Sequence, residues 1–164
     1  MNKYVRMAAM FTLGFSLMLA GCGSSTGKDV AQSHQHHAPN GDLQETTASL
    51  DQLPSFLEPL SEQVRTAYKT AATVTDQLQY IPCYCGCGES AGHENNLNCF
   101  IKEINEDGVV WDDHGTRCGV CLEIALITAE LDKQGTSLLD IRHAIDGMYA
   151  EGYAVPTPTP MPEA

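Results

Sequence analysis

Three cysteines alternate in "PCYCGC", from Pro82 to Cys87, and three more follow before residue 122. A small domain must commit these thiols to one another, to metal, or to redox chemistry, and its fold must bring their partners to them. In an extended segment side chains alternate, so Cys83, Cys85 and Cys87 project to one side while Tyr84 and Gly86 project to the other. Gly86 and Gly88 let the backbone turn tightly around whatever the thiols converge on.

Cys118 and Cys121 form a CxxC at the start of a predicted helix, where backbone amides and the helix dipole favour thiolate. Cys99 lies between the two groups, and His93 and His114 stand beside them. Six thiols and two imidazoles match the donor count of two tetrahedral sites. Cys83, Cys85, Cys87, Cys118 and Cys121 are the expected core ligands, with Cys99, His93 and His114 completing the shells. Zinc or copper is the expected ion, since thiolate-rich sites suit both and alternating cysteines can bridge two ions.

Two other readings stay open. Outside the cytoplasm six cysteines usually form disulfides, with 15 possible pairings. A bond within a CxC is strained, so the triplet would take Cys99, Cys118 and Cys121 as distant partners. Thiol–disulfide exchange is the other, with Cys118 as the reactive thiol of the Cys118/Cys121 pair, although no βαβ pattern surrounds it. Leu122 after Cys121 excludes covalent haem attachment.

The N-terminus bears on the compartment. Lys3 and Arg6 precede an uncharged, mostly apolar run from Met7 to Ala20, as in a secretory signal. Leu19, Ala20, Gly21 and Cys22 resemble a bacterial lipobox. This implies removal of residues 1–21 and lipidation of Cys22, which would anchor the chain to the cell membrane on its extracytoplasmic side. Cleavage leaves seven basic residues against 21 acidic ones, a net charge of −14. That charge repels nucleic acid and concentrates cations weakly.

Residues 22–52 read as a flexible tether carrying His34, His36 and His37, a tract that can pick up metal. Residues 152–164 alternate Pro with other residues and read as a stiff, disordered tail. Between them, residues 53–151 form one Cys-rich domain. Apolar spacings of three and four predict a helix from Glu62 to Leu78, capped by Ser61 and stopped by Pro82. A shorter period runs from Leu97 to Ile104, a third from Val120 to Leu131, and a fourth follows Ser137 to Tyr149, with Met148 on its apolar face. Only "GVVW" reads as a strand. The expected fold is mostly α, with about four helices around a Cys/His cluster. Trp111 is expected to pack over that cluster and His143 to lie at the surface; Asp112 and Asp113 stand where they can orient His114, but read first as a solvated loop.

Pro82 to Cys87 match in full the hexapeptide of the bacterial PCYCGC-motif lipoproteins, and the lipobox is similar too. The resemblance covers about Leu53 to Tyr149, including "HGTRCGVC" from His114 to Cys121. It implies the location and the motif cysteines. That family is defined by its motif rather than by a reaction, so it implies no catalysis. Phosphate-loop, nucleophile-elbow and HExxH signatures are absent.

Overall fold

The computed structural model of the protein describes residues 34–163. The signal segment 1–21 and the lipidation site Cys22 lie outside the described residues. Strands β1 (Gln35–His37), β2 (Leu43–Thr47), β3 (Ile101–Asn105) and β4 (Gly108–Asp112) form one antiparallel sheet in the order β1-β2-β4-β3. Helices α1 (Glu62–Ala71), α2 (Thr75–Leu78), α3 (Cys87–Ala91), α4 (Gly119–Lys133) and α5 (Leu138–Tyr149) complete it, with 3-10 turns at Ser55–Leu57, Asn96–Cys99 and His114–Arg117.

The mostly-α expectation is therefore corrected to a mixed fold, for three local reasons. In β2 the buried residues Gln44, Glu45 and Thr47 are polar, and burial on both faces leaves no alternation, so hydropathy conceals a strand. Each has a partner: Gln44 donates to Asp112 at 2.8 Å, Glu45 accepts from Ser55 N at 2.8 Å, and Thr47 accepts from Trp111 Nε1 at 2.7 Å. The period from Leu97 to Ile104 resolves into the Asn96–Cys99 turn followed by β3, with Ile104 exposed at the sheet edge. The long first helix breaks into α1 and α2 where Val74 takes φ −132°.

Among the described residues, neither flank is a free segment. Residues expected in the tether supply β1 and β2, joined through Asn40 and Gly41, the latter at φ 89°. This is the turn chemistry of a tight hairpin. At the other end the proline-rich tail is a strap laid along the cysteine segment. Ala154 N donates to the Tyr84 carbonyl at 3.0 Å and Thr157 N to the Cys83 carbonyl at 3.1 Å. Cys83 N returns a bond to Thr157 Oγ1 at 3.0 Å. Prolines forbid a regular ladder, so only the residues between them can donate.

Helices α4 and α5 fall at the predicted places. Ser137 caps α5 by accepting from Asp140 N at 3.2 Å. Yet Met148 is 54% exposed while Arg142 is only 8% exposed. Arg142 turns inward because it has partners there: its Nη1 donates to the carbonyls of Tyr80 and Pro160, and its Nε to Asp146. It thereby pins the strap to the helical layer. His143 is exposed, as its place off the apolar face predicts.

Helix α4 divides two cores. One joins Leu57, Tyr68, Leu78, Phe100 and Trp111 with the buried cysteines. The other packs Ile81, Tyr84 and Ile124 against Ile141, Ile145 and Tyr149 of α5. Tyr84 does point away from its flanking cysteines, stacking on Tyr149 at 5.4 Å and donating to Asp146 at 2.6 Å. Trp111 is fully buried against Tyr68 and Thr47, in the core rather than as a cover over the thiols.

Candidate metal centre

The cysteine segment leaves α2 extended, then turns at Gly86, whose φ of 85° suits glycine, to place Cys87 at the first position of α3. The alternating triplet therefore splits between two ligand groups. Cys83 and Cys87 join Cys99 and Cys121, while Cys85 joins Cys118 and the same Cys121. Cys99 is held by the 3-10 turn that Asn95 caps through Asn98 N, at 3.3 Å. Its carbonyl lies so close to Gly115 that a Cβ there would come within 2.8 Å. Cys118 caps α4 with sulfur, accepting from Cys121 N at 3.4 Å.

The sulfurs form one continuous cluster. Cys99 Sγ lies 3.3 Å from Cys83 and 3.1 Å from Cys121. Cys121 lies 3.2 Å from Cys118 and 3.5 Å from Cys85. All six are free thiols, so the disulfide-staple reading finds no bond among the described residues. Within each group the ligand atoms lie within 4.8 Å of one another. That is the scale of a tetrahedral thiolate shell, whose edges are about 3.8 Å when the Zn–S bond is about 2.3 Å.

The imidazoles stand against this cluster. His93 Nδ1 is 3.3 Å from Cys99 Sγ, and His93 packs edge-on to His114 with ring centroids 4.5 Å apart. Cys87, His93 and His114 form a third group of possible ligands. The structure thus brings together the domain's six cysteines with His93 and His114. Asp112 and Asp113 do not hold the His114 ring. Asp112 accepts from the His114 backbone N, and Asp113 from Arg117 and Leu43 N. Asp42 holds the ring instead, 3.1 Å from Nδ1, while itself paired with Arg117.

Asp42 lies in the stretch read as tether, which is why sequence reasoning missed it. The signal was the Asn40-Gly41 pair, a turn marker that could have placed a hairpin there. Thr157 was missed for a similar reason, hidden in a run of prolines.

Thiols this close cannot all ionise together, because each new thiolate faces the last. Partly buried Cys85 is held far below the ordinary thiol value by contact with Cys118, then with Cys121 and Cys83. Cys87 is drawn down to about 2, first by Cys121. Cys121 is pushed up, first by Cys118, and Cys99 first by burial. The expected activated thiolate at Cys118 is not found. Contact with Cys121 lowers its pKa, but Cys85 and burial outweigh that and leave it above the ordinary value. His114 rises to about 9 through contact with Cys85 and, against the cost of burial, through Asp42. A cation among these sulfurs would supply the charge that lets the remaining thiols ionise, with release of protons.

The family of proteins of unknown function with a PCYCGC motif matches residues 11–162. The chain belongs to this PCYCGC-motif family. No curated protein and no solved structure matches it. The six residues that define the family are thus the ones that deliver thiols to both ligand groups, with Tyr84 anchoring the segment to α5.

Proposed function

We propose that the protein is a membrane-anchored, extracytoplasmic metal-binding domain that holds two soft ions, zinc or Cu(I), in one thiolate cluster bridged by Cys121. The observation that carries this reading is the convergence of six free thiols, four of them in a buried group, with Cys121 common to both groups. A shared thiolate between two ions is an ordinary arrangement for soft metals and accounts for fewer sulfurs than two separate tetrahedra require. The lipobox at Leu19 to Cys22 supports the anchor, with membrane lipid as the partner.

The test is elemental analysis with a parallel thiol count on the full chain, extracted from membranes without chelator or added metal. Two equivalents of zinc or copper, with thiols reactive only after denaturation in chelator, is the expected result. Metal-free protein would refute the reading. Cys22→Ser should move the chain from the membrane fraction to the soluble one.

Thiol–disulfide exchange at Cys118 and Cys121 is a second reading, favoured by their 3.2 Å separation. The raised pKa of Cys118 opposes it. A Cys118 labelling rate no faster than that of the other thiols would remove it.

A further inference from the structure

A second set of ligand-type side chains lies next to the thiols and contains no sulfur. Asp42, His93 and Asp112 are 4%, 7% and 2% exposed, and one ligand atom from each lies within 4.8 Å of the others. His93 and Asp112 line a cavity of about 330 Å³ that His36 and His37 of β1 also line. Both β1 histidines are exposed. His37 Nδ1 lies 3.2 Å from the Gly41 carbonyl. A bond to that carbonyl requires the proton on Nδ1 and leaves the Nε2 lone pair free, the state of a metal-ligating imidazole.

We infer that this cavity is the port through which a divalent, zinc-class ion reaches the thiol cluster, captured by His36 and His37 and passed by Asp42, His93 and Asp112. The inference rests on the metal-binding reading above and adds to it the route and the charge of the ion. Donor character is graded along the path, from imidazole at the surface, through carboxylate and imidazole, to thiolate. For a borderline ion the last exchange, onto thiolate, leads to the softest and tightest ligands of the path. His93 spans the last step, since it belongs to the carboxylate set while its Nδ1 is 3.3 Å from Cys99 Sγ.

The charges suit passage rather than storage. Asp42 is already paired with Arg117 and His114, Asp112 accepts from Gln44 and the His114 amide, and Lys102 lines the cavity. A carboxylate pair so compensated holds a cation weakly. Carboxylate donors also favour a divalent ion over Cu(I).

The test is the rate at which full-length, reduced, metal-free protein takes up Co²⁺ or Zn²⁺. Uptake is followed by the cobalt–thiolate charge-transfer absorbance, or by loss of Zn²⁺ from a chromogenic chelator. His36→Gln/His37→Gln should slow uptake about tenfold, the low end of local-concentration effects. Lys102→Gln, which removes the cation in the cavity wall, should speed it about twofold. All three altered residues are exposed, and both variants should reach the same final stoichiometry and thiolate spectrum as the unaltered chain. A thiolate band that forms at one rate in all three proteins would overturn the port and leave the metal cluster standing. No thiolate band in the unaltered chain would overturn both.

Discussion

Replacing Glu45 with Gln tests whether the residues before the domain's expected start are part of its fold, independently of any metal. Glu45 is 1% exposed, and its carboxylate accepts from Gln35 Nε2 at 2.8 Å, Ser55 N at 2.8 Å, Ser55 Oγ at 2.9 Å and Phe56 N at 3.3 Å. It ties β1 and β2 to the turn that leads into α1. In Glu45→Gln the new amide can keep Ser55 N on its oxygen, while the Gln35 amide flips and the Ser55 hydroxyl rotates to meet the new N–H groups. What is lost is the charge on three good bonds, about 1 kcal/mol each, so the substitution should cost about 3 kcal/mol at neutral pH.

The pH dependence adds a second signature. Burial opposes ionisation of Glu45, but the bonds from Ser55, Gln35 and Phe56 prevail and hold its pKa below the ordinary 4.5. A depressed folded-state pKa contributes stability that is fully present above the unfolded value and is lost as pH falls through the folded one. The difference between the two proteins should therefore be constant above about pH 5 and shrink below 4.5. Urea unfolding at several pH values measures both. A cost under about 1 kcal/mol, or a difference unchanged at low pH, would refute the view of Glu45 as a charged anchor.

Cys121→Ser should abolish both metal equivalents because both groups use that sulfur, whereas Cys85→Ser should remove only the one bound by Cys85 and Cys118. Elemental analysis distinguishes the two patterns. Thr157→Val deprives Cys83 N of its acceptor and should cost about 1–2 kcal/mol, with faster amide exchange at Cys83. Gly115→Ala places a Cβ 2.8 Å from the Cys99 carbonyl and 3.1 Å from Tyr68 Oη, so it should cost about 1–3 kcal/mol by thermal or urea unfolding.

Helices were legible where an apolar face and a side-chain cap coincide, as in α1 after Ser61 and α5 after Ser137. They were illegible where burial is polar. Gln44, Glu45 and Thr47 are buried with polar partners at Asp112, Ser55 and Trp111, and no local pattern announces such partners. The cysteines and histidines of the site were visible because their chemistry is conspicuous in any context. Their grouping was not, because strict alternation would have kept Cys83, Cys85 and Cys87 together. The left-handed turn at Gly86 and the start of α3 divide them instead.

The strap bears on the order in which the molecule is completed. All six thiols lie between Cys83 and Cys121, so they can find one another through short loops soon after that stretch is free to fold. The bond that closes over Cys83 joins residues 74 apart, since its acceptor is Thr157. Closing so long a loop is slower than closing short ones. By loop length alone the thiols would meet before they are covered, and the interval until the strap docks would set how long an oxidant can reach them. A strap that docks slowly would convert the same sequence from a stable thiol cluster into a mixture of disulfide isomers, so the proline-rich end acts as the clock of maturation.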